Sequence, residues 1–176
     1  FVEAPDYETK STYTDTVLVN DGDQTGTQDI TININNLDDE SPVFSSSNTF
    51  TADENQTEIG AVTATDVDSD TITFSISGSE INIDSTTGKL TFVDAPDYEN
   101  KSSYSATVTA TDGTNSANQD ITININDLND NIPELTSGST YTADENQTAI
   151  GTVTATDADG DTITFSISGS EMNIDS

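Results

Sequence analysis

From residue 72 to residue 125 apolar side chains fall on alternate positions. Thr and Ser separate Ile72, Phe74 and Ile76, Asn separates Ile81 from Ile83, and Thr separates Leu90 from Phe92. Tyr104, Ala106, Val108 and Ala110 alternate in the same way, as do Ile121, Ile123 and Ile125. Successive side chains of a strand point to opposite faces. Each run therefore predicts a β-strand with one face buried and a Thr, Ser or Asn face outside. Residues 59–65 predict a further strand and residues 46–51 a short first one. Asp-Ser-Asp at 68–70, Thr-Gly at 87–88 and Asp-Gly at 112–113 supply turns. No stretch holds a helical period. The sum is about seven strands in roughly 90 residues, the content of an antiparallel Greek-key sandwich of immunoglobulin-like type.

The pattern then repeats. Residues 50–85 recur as 141–176 with 30 of 36 positions identical, and residues 1–42 recur as 92–133, both at an offset of 91. The four prolines obey the same offset, Pro5 with Pro96 and Pro42 with Pro133. A 91-residue period exceeds most solenoid units and suits a tandem array of small β domains. Asp and Asn cluster before Pro42 and Pro133, which sets the phase. Residues 1–42 are the C-terminal half of one repeat, 43–133 a complete repeat, and 134–176 the N-terminal half of the next. The expected fold class is all-β, tandem immunoglobulin-like Greek-key β-sandwiches. The half-repeats are expected to carry open strand edges and to fray or associate when isolated. The chain opens on Phe1 with no signal peptide, which points to a piece of a longer protein.

Composition narrows the chemistry. The chain carries 33 acidic and 3 basic residues, a net charge of −30, with no His, Cys, Trp or Arg. Three lysines (Lys10, Lys89, Lys101) cannot displace the counterions of a nucleic acid. Without His or Cys there is no zinc, copper, haem or iron–sulfur site, no Ser–His or Cys–His mechanism and no disulfide. No apolar run approaches the ~18 residues of a membrane span. Leu, Ile, Val and Phe lie near the ~20% mark below which highly charged chains often stay disordered. The strict alternation argues against disorder here.

A run of charge is ordinarily a solvated face, but these acids recur at fixed places. In the complete repeat they are Glu54, then Asp66, Asp68 and Asp70, then Asp97 and Glu99, then Asp112, then the Asp127-Leu-Asn-Asp-Asn131 run. Turns of a sandwich gather at its two ends, so these groups converge at two poles. Two carboxylates at ~4 Å repel by ~1 kcal/mol in water and ~4 kcal/mol at an effective dielectric of 20, so such a cluster needs a counter-ion. Oxygen-only ligands select a hard cation, and flexible seven-fold geometry favours Ca²⁺ over Mg²⁺. Asp157-Ala-Asp-Gly-Asp161 looks like an EF-hand opening, but its Gly stands at position 4 instead of 6 and position 12 is Ser168. Asp112-Gly113 also reads as a plain hairpin turn. Asp53, Asp84, Asp94 and Asp120 read as solvated surface. The sequons at Asn55, Asn100 and Asn146 are common in so Asn- and Thr-rich a chain and carry no functional reading.

Five motifs in order resemble the cadherin repeat: Glu-Asn (Glu54), Asp-x-Asp (Asp66, Asp68), Asp-x-Glu (Asp97, Glu99), Ala-x-Asp (Asp112) and Asp-x-Asn-Asp-Asn-x-Pro (Asp127 to Pro133). The likeness covers the whole chain at the same period, and its cysteine-free, Asp-Gly-Asp style is similar to bacterial cadherin-like repeats. It implies calcium between successive repeats, up to three ions at a junction. Carried over motif by motif, the first junction would use Asp6, Glu8, the Leu37 carbonyl, Asp38, Asp39 and the Glu40 carbonyl, with Asp66, Asp68 and Asp112 below. The second would use Glu54, Asp97, Glu99, the Leu128 carbonyl, Asn129, Asp130 and the Asn131 carbonyl, with Asp157 and Asp159 below. Asp70 and Asp161 are candidates for the further oxygen that an Asn carbonyl gives in animal cadherins. The first linker departs from the motif as Asn36-Leu-Asp-Asp-Glu40-Ser-Pro42, its upstream Glu would precede Phe1, and the last Asp of the second junction would follow Ser176. Neither junction is complete in this segment.

The resemblance implies a calcium-rigidified extracellular or cell-surface stalk, an adhesion module of a larger surface or secreted protein. Its partners would be the adjacent repeats of the same chain through Ca²⁺, with another cell-surface protein or a glycan at the parent's tip. The alternative is a ligand- or carbohydrate-recognition sandwich. Homophilic strand swapping on a Trp anchor, as in animal cadherins, has no Trp to use. An enzyme would need a single carboxylate-lined cleft, and acids repeated at every junction do not make one.

Overall fold

The computed structural model describes residues 1–174, and these carry thirteen strands and no helix. β1 (Thr12–Asn20) and β2 (Thr25–Asn33) form an antiparallel hairpin with Tyr13 opposite Ile32. Its turn is held by Asp21, whose Oδ1 accepts the N–H groups of Asp23 (3.0 Å) and Gln24 (2.8 Å). Val17, Leu18 and Val19 of this hairpin stay 50, 66 and 68% exposed.

The core belongs to the middle of the chain. β3 (Val43–Phe44) and β4 (Thr49–Asp53) lead in, followed by β5 (Glu58–Ala61), β6 (Ala64–Thr65), β7 (Thr73–Ile76), β8 (Ile81–Ile83), β9 (Lys89–Phe92), β10 (Ser103–Thr111) and β11 (Ser116–Asn126). One sheet has the order β4-β11-β10-β7, with β4 parallel to β11 and the other pairs antiparallel. The facing layer is β5-β9-β8 with the short pair β3-β6. Consecutive pairs thus alternate between layers, β8-β9 in one and β10-β11 in the other, as a Greek-key sandwich requires. Val62, Leu90, Val108 and Ile123 are fully buried between the layers, with Ile81, Phe92, Ile121 and Ile125 nearly so. The Phe92 and Tyr104 rings meet at 4.9 Å between centroids, and Phe44 and Phe74 at 6.4 Å.

The alternation predicts these strands well and misses two interruptions. Of the expected strand at 46–51 only residues 49–51 lie in a strand, β4. Before it, β3 ends at Phe44, and Ser45 and Ser46 donate their N–H groups to the Thr63 carbonyl (2.8 and 3.3 Å) in one layer. Ser47 then turns the chain, its Oγ accepting the Thr49 N–H at 3.1 Å, so that β4 joins the other layer. The expected strand at 59–65 breaks at Val62, whose N–H donates to the Gly88 carbonyl at 3.0 Å. A Cβ on Gly88 would lie 2.3 Å from the Val62 carbonyl oxygen, and its φ of +67° favours glycine as well.

Beyond β11, β12 (Glu134–Leu135) pairs with β13 (Ala155–Thr156), repeating the pairing of β3 with β6 one period on. The sandwich has two poles. The β6–β7 loop and the β10–β11 turn lie at the pole that meets residues 34–42. The β4–β5 turn, the β9–β10 loop and the chain after β11 lie at the other.

Candidate metal centre

At the first pole, local turns bring the acids together. Asp66 Oδ1 accepts the Asp70 N–H at 3.4 Å across a loop in which Ser69 has a φ of +71°. Asp112 Oδ1 accepts the N–H groups of Thr114 (2.7 Å) and Asn115 (2.6 Å). The linker is tied to this pole directly: Asp68 Oδ2 accepts the N–H of Asp39 (3.3 Å) and of Glu40 (3.0 Å), and the Asn36 side-chain amide donates to the Asp68 carbonyl at 3.3 Å. Glu8, Asp39 and Asp68 bring carboxylate oxygens within 4.8 Å of one another. Partial desolvation, then neighbouring Asp68 and Asp6, raises Glu8 above its ordinary titration range. Asp70 is raised likewise, by desolvation first and then by the charges of Asp38, Asp66, Asp68 and Asp112. Asp6 does not join the group. Its Oδ1 takes the N–H groups of Glu8 (3.0 Å) and Thr9 (3.2 Å), and its Oδ2 takes the Thr9 hydroxyl (2.8 Å). These bonds, the Thr9 hydroxyl foremost, hold Asp6 below the usual range.

The second pole is built on Glu54. This carboxylate is 2% exposed, and its Oε1 and Oε2 accept the N–H groups of Leu128 and Tyr98, each at 2.8 Å. One buried side chain therefore joins the end of β4 to both flanking loops. Glu54, Asp97 and Glu99 form one cluster, Glu99, Asp127 and Asp159 a second, and Asp157, Asp159 and Asp161 a third, each within 4.8 Å. Asp97 Oδ1 caps its loop through the Asn100 N–H at 3.0 Å. Asn131 stands among these acids as a donor. Its N–H reaches Asp159 Oδ2 (2.9 Å), and its amide reaches Asp159 Oδ1 (2.9 Å), Asp130 Oδ1 (2.8 Å) and Glu99 Oε2 (3.2 Å). The Asn131 side-chain bond is the main reason that Asp159 titrates below the usual range. Glu99 and Asp127 are raised, in each case by desolvation first and then by neighbouring carboxylates. Asn55, at φ +63°, also donates its amide to Asp130. Asn129 and the Leu128 side chain are exposed.

Sequence reasoning left Asp127, Asn36 and Asn115 out of the site. The 91-residue offset held a signal for the first two: Asp127 and Asn36 occupy equivalent positions, an acid at one pole and an amide at the other.

Comparison with known proteins decides the family. The cadherin domain model matches residues 48–126. The chain is 32% identical over 171 residues to mouse cadherin EGF LAG seven-pass G-type receptor 2, covering 88% of this chain and 6% of the receptor. It is also 32% identical over 178 residues to zebrafish cadherin-5, covering 88% of this chain and 23% of the relative. The chain carries a cadherin repeat. The crystal structure of the protocadherin gammaB4 extracellular domain superposes with a TM-score of 0.72 at 28% identity, covering 89% of this chain and 28% of that one. The segment therefore spans a small part of each relative. Like its family, it is an extracellular or cell-surface module, and no helix among the described residues is long and apolar enough to cross a membrane.

The donor set of this cadherin repeat suits a hard divalent ion. Asp66 Oδ2, Asp68 Oδ1 and Asp112 Oδ2 are buried at the first pole without a hydrogen-bond partner. Unpaired buried carboxylate oxygens are costly. The lysines do not relieve them: Lys89 pairs with Glu58 at 3.0 Å, Lys101 pairs with Glu80 at 2.6 Å, and Lys10 lies 4.4 Å over the Tyr13 ring. The donors are oxygens alone, several and on flexible loops, the environment of Ca²⁺.

Proposed function

We propose that this extracellular adhesion-type repeat segment is a calcium-rigidified stalk of a larger surface or secreted protein. The observation that carries the reading is the trio of buried, partnerless carboxylate oxygens of Asp66, Asp68 and Asp112 beside the linker. In this reading, residues 43–133 are the complete module and residues 1–42 and 134–176 are halves of its neighbours. Glu8, Asp38, Asp39 and the Leu37 and Glu40 carbonyls would join Asp66, Asp68, Asp70 and Asp112 on the first ions. Glu54, Asp97, Glu99, Asn129, Asp130 and the Leu128 and Asn131 carbonyls would join Asp157, Asp159 and Asp161 on the second. Asp127 is added to the second set by its place beside Glu99 and Asp159. Asp6 would join the first set beside Glu8: its oxygens hold local donors, as those of Glu54 do, and keep lone pairs for an ion.

The consequence is mechanical. A cation shared by two modules converts repulsion across the junction into attraction and fixes the angle between them. Near-identical modules do the same job in turn, which suits a spacer. The partners in this reading are the adjacent repeats of the chain, and the adhesion target belongs to the parent protein.

Calorimetric titration of the chain with calcium, beside melting curves in calcium, magnesium and chelator, tests this. Sites of ~10⁻⁴–10⁻³ M affinity are expected. At a hundredfold excess over the dissociation constant each contributes about 2.7 kcal/mol. Magnesium should give a much smaller rise in melting temperature. No heat and an unchanged melt in calcium would sink the reading.

A further inference from the structure

The first junction carries a connection that needs no ion. Asn115, half-buried, lies in the β10–β11 turn. Backbone groups and Asp112 hold that turn: Asp112 Oδ1 takes the Asn115 N–H at 2.6 Å, and the Asn115 carbonyl accepts the Thr111 hydroxyl at 2.7 Å. The side-chain amide is left to cross the junction. Nδ2 lies 3.2 Å from Asp38 Oδ1 and 3.2 Å from the Glu40 carbonyl, with the Asp38 carbonyl a weaker third partner at 3.5 Å. These acceptors stand 75 and 77 residues away in sequence.

We propose that Asn115 is a positioning residue for the first calcium junction: it holds Asp38 and the Glu40 carbonyl of the linker in register with Asp112 before any ion arrives. The inference rests on the calcium reading for its purpose and on hydrogen-bond geometry for its existence. Two points favour it. One residue bonds ligands from both sides, Asp112 through its main chain and the linker oxygens through its amide. The second junction has an amide donor in its linker, Asn131, whereas the first has Glu40 at that position. A glutamate side chain cannot donate, and the linker's Asn36 amide is engaged on the Asp68 carbonyl at 3.3 Å, so the amide that reaches the linker oxygens comes from the opposite side. An amide also leaves the oxygens it orients with lone pairs to spare, since carbonyl and carboxylate oxygens each hold two or more.

The preceding half-repeat carries Gln24 at the equivalent position, so glutamine is the conservative variant. The test compares wild type, Asn115→Ala and Asn115→Gln in the full chain. Nitroxide labels go on Thr14→Cys and Ser105→Cys, both exposed and away from the junction, in a chain with no native cysteine. The first readout is the inter-label distance distribution in chelator. Alanine should broaden it and glutamine should keep it narrow. The second is calcium affinity by calorimetry, where alanine should lose about tenfold at one site and glutamine should retain it. Hydrogen exchange at Thr114 and Asn115 reports on the turn itself. Wild-type width and affinity in the alanine variant overturn the proposal, as does equal broadening in both variants. A wild type that binds no calcium sinks the calcium reading alone, and the chelator distances still decide the latch.

Discussion

Single residues show how much of this site depends on unlike positions in near-identical repeats. Ser69 is held at φ +71°, where its copy one period later is Gly160 at +77°. A left-handed serine costs about 1 kcal/mol that glycine does not. Ser69→Gly should therefore stabilise the chain by about that amount in urea unfolding, and a destabilised variant would show that the serine side chain is needed. Glu54 makes the opposite case. Its two oxygens serve two main-chain donors in a buried setting, so Glu54→Gln leaves one of them poorly served. The expected loss is about 2 kcal/mol in calcium. It should be smaller in chelator, because removing the charge relieves Asp97 and Glu99. The titration of Glu99, raised partly by the Glu54 charge, should fall in the same variant by NMR. The acidic positions were legible in the sequence because carboxylates recur at a fixed offset. Asn129 and the Asn131 carbonyl were legible from the linker motif, but the donating amides of Asn115 and Asn131 were not. Asn115 and Asn131 matter through where a turn aims them, and a chain with so many Asn residues gives no cue to which ones cross a junction.

At the scale of the element, the chain contains its own control. Residues 71–80 and 162–171 are identical, Thr-Ile-Thr-Phe-Ser-Ile-Ser-Gly-Ser-Glu. In the first copy Thr73–Ile76 is a strand paired with β10, Phe74 opposite Ala110, while in the second copy the matching residues 164–167 form no strand. The same holds for Thr-Ala-Asp, which is part of β4 at 51–53 and outside any strand at 142–144. Local preference is equal in the two copies, so the pairing partner decides, as expected for β structure. Alternation could thus be read as strand potential, and whether a copy becomes a strand depends on a partner elsewhere in the chain. The breaks at Ser47 and Val62 were not legible, because they depend on hydrogen bonds to residues far along the chain. Amide exchange should separate the copies: residues 73–76 protected, residues 164–167 exchanging near the rate of an unstructured chain. Equal protection would mean that the second copy finds a partner, most simply in another molecule. On the proposed phase, a chain lengthened by a further half-repeat should raise protection at 164–167 with no change in their sequence.

For the whole molecule, charge sets the response to pH, and its sign depends on the ion. Glu8, Asp70, Glu99 and Asp127 are raised above their ordinary range, desolvation being the largest cause and neighbouring carboxylates the next. A raised carboxylate binds its proton more readily in the folded state, so its ionisation works against folding. In chelator this penalty is present at neutral pH and is lifted as pH falls through the raised values. Asp6, Asp21, Asp84 and Asp159 are lowered by hydrogen-bond donors, chiefly Thr9, Gln24, Thr87 and Asn131 respectively. Their contribution is complete above the ordinary carboxylate range and is lost as pH falls through their lowered values. The chelated chain should accordingly gain stability on mild acidification from neutrality and lose it only on further acidification, with an optimum between the two sets. Calcium should reverse the first limb. Metal binding requires ionised ligands, so protons then compete with the ion that crosslinks the modules, and stability should fall steadily as pH drops from neutral. Melting temperatures across that range, in chelator and in saturating calcium, should show two curves that converge towards acid. Parallel curves would mean that the carboxylates that repel one another are not those that hold the ion, and would separate the junction clusters from the calcium sites.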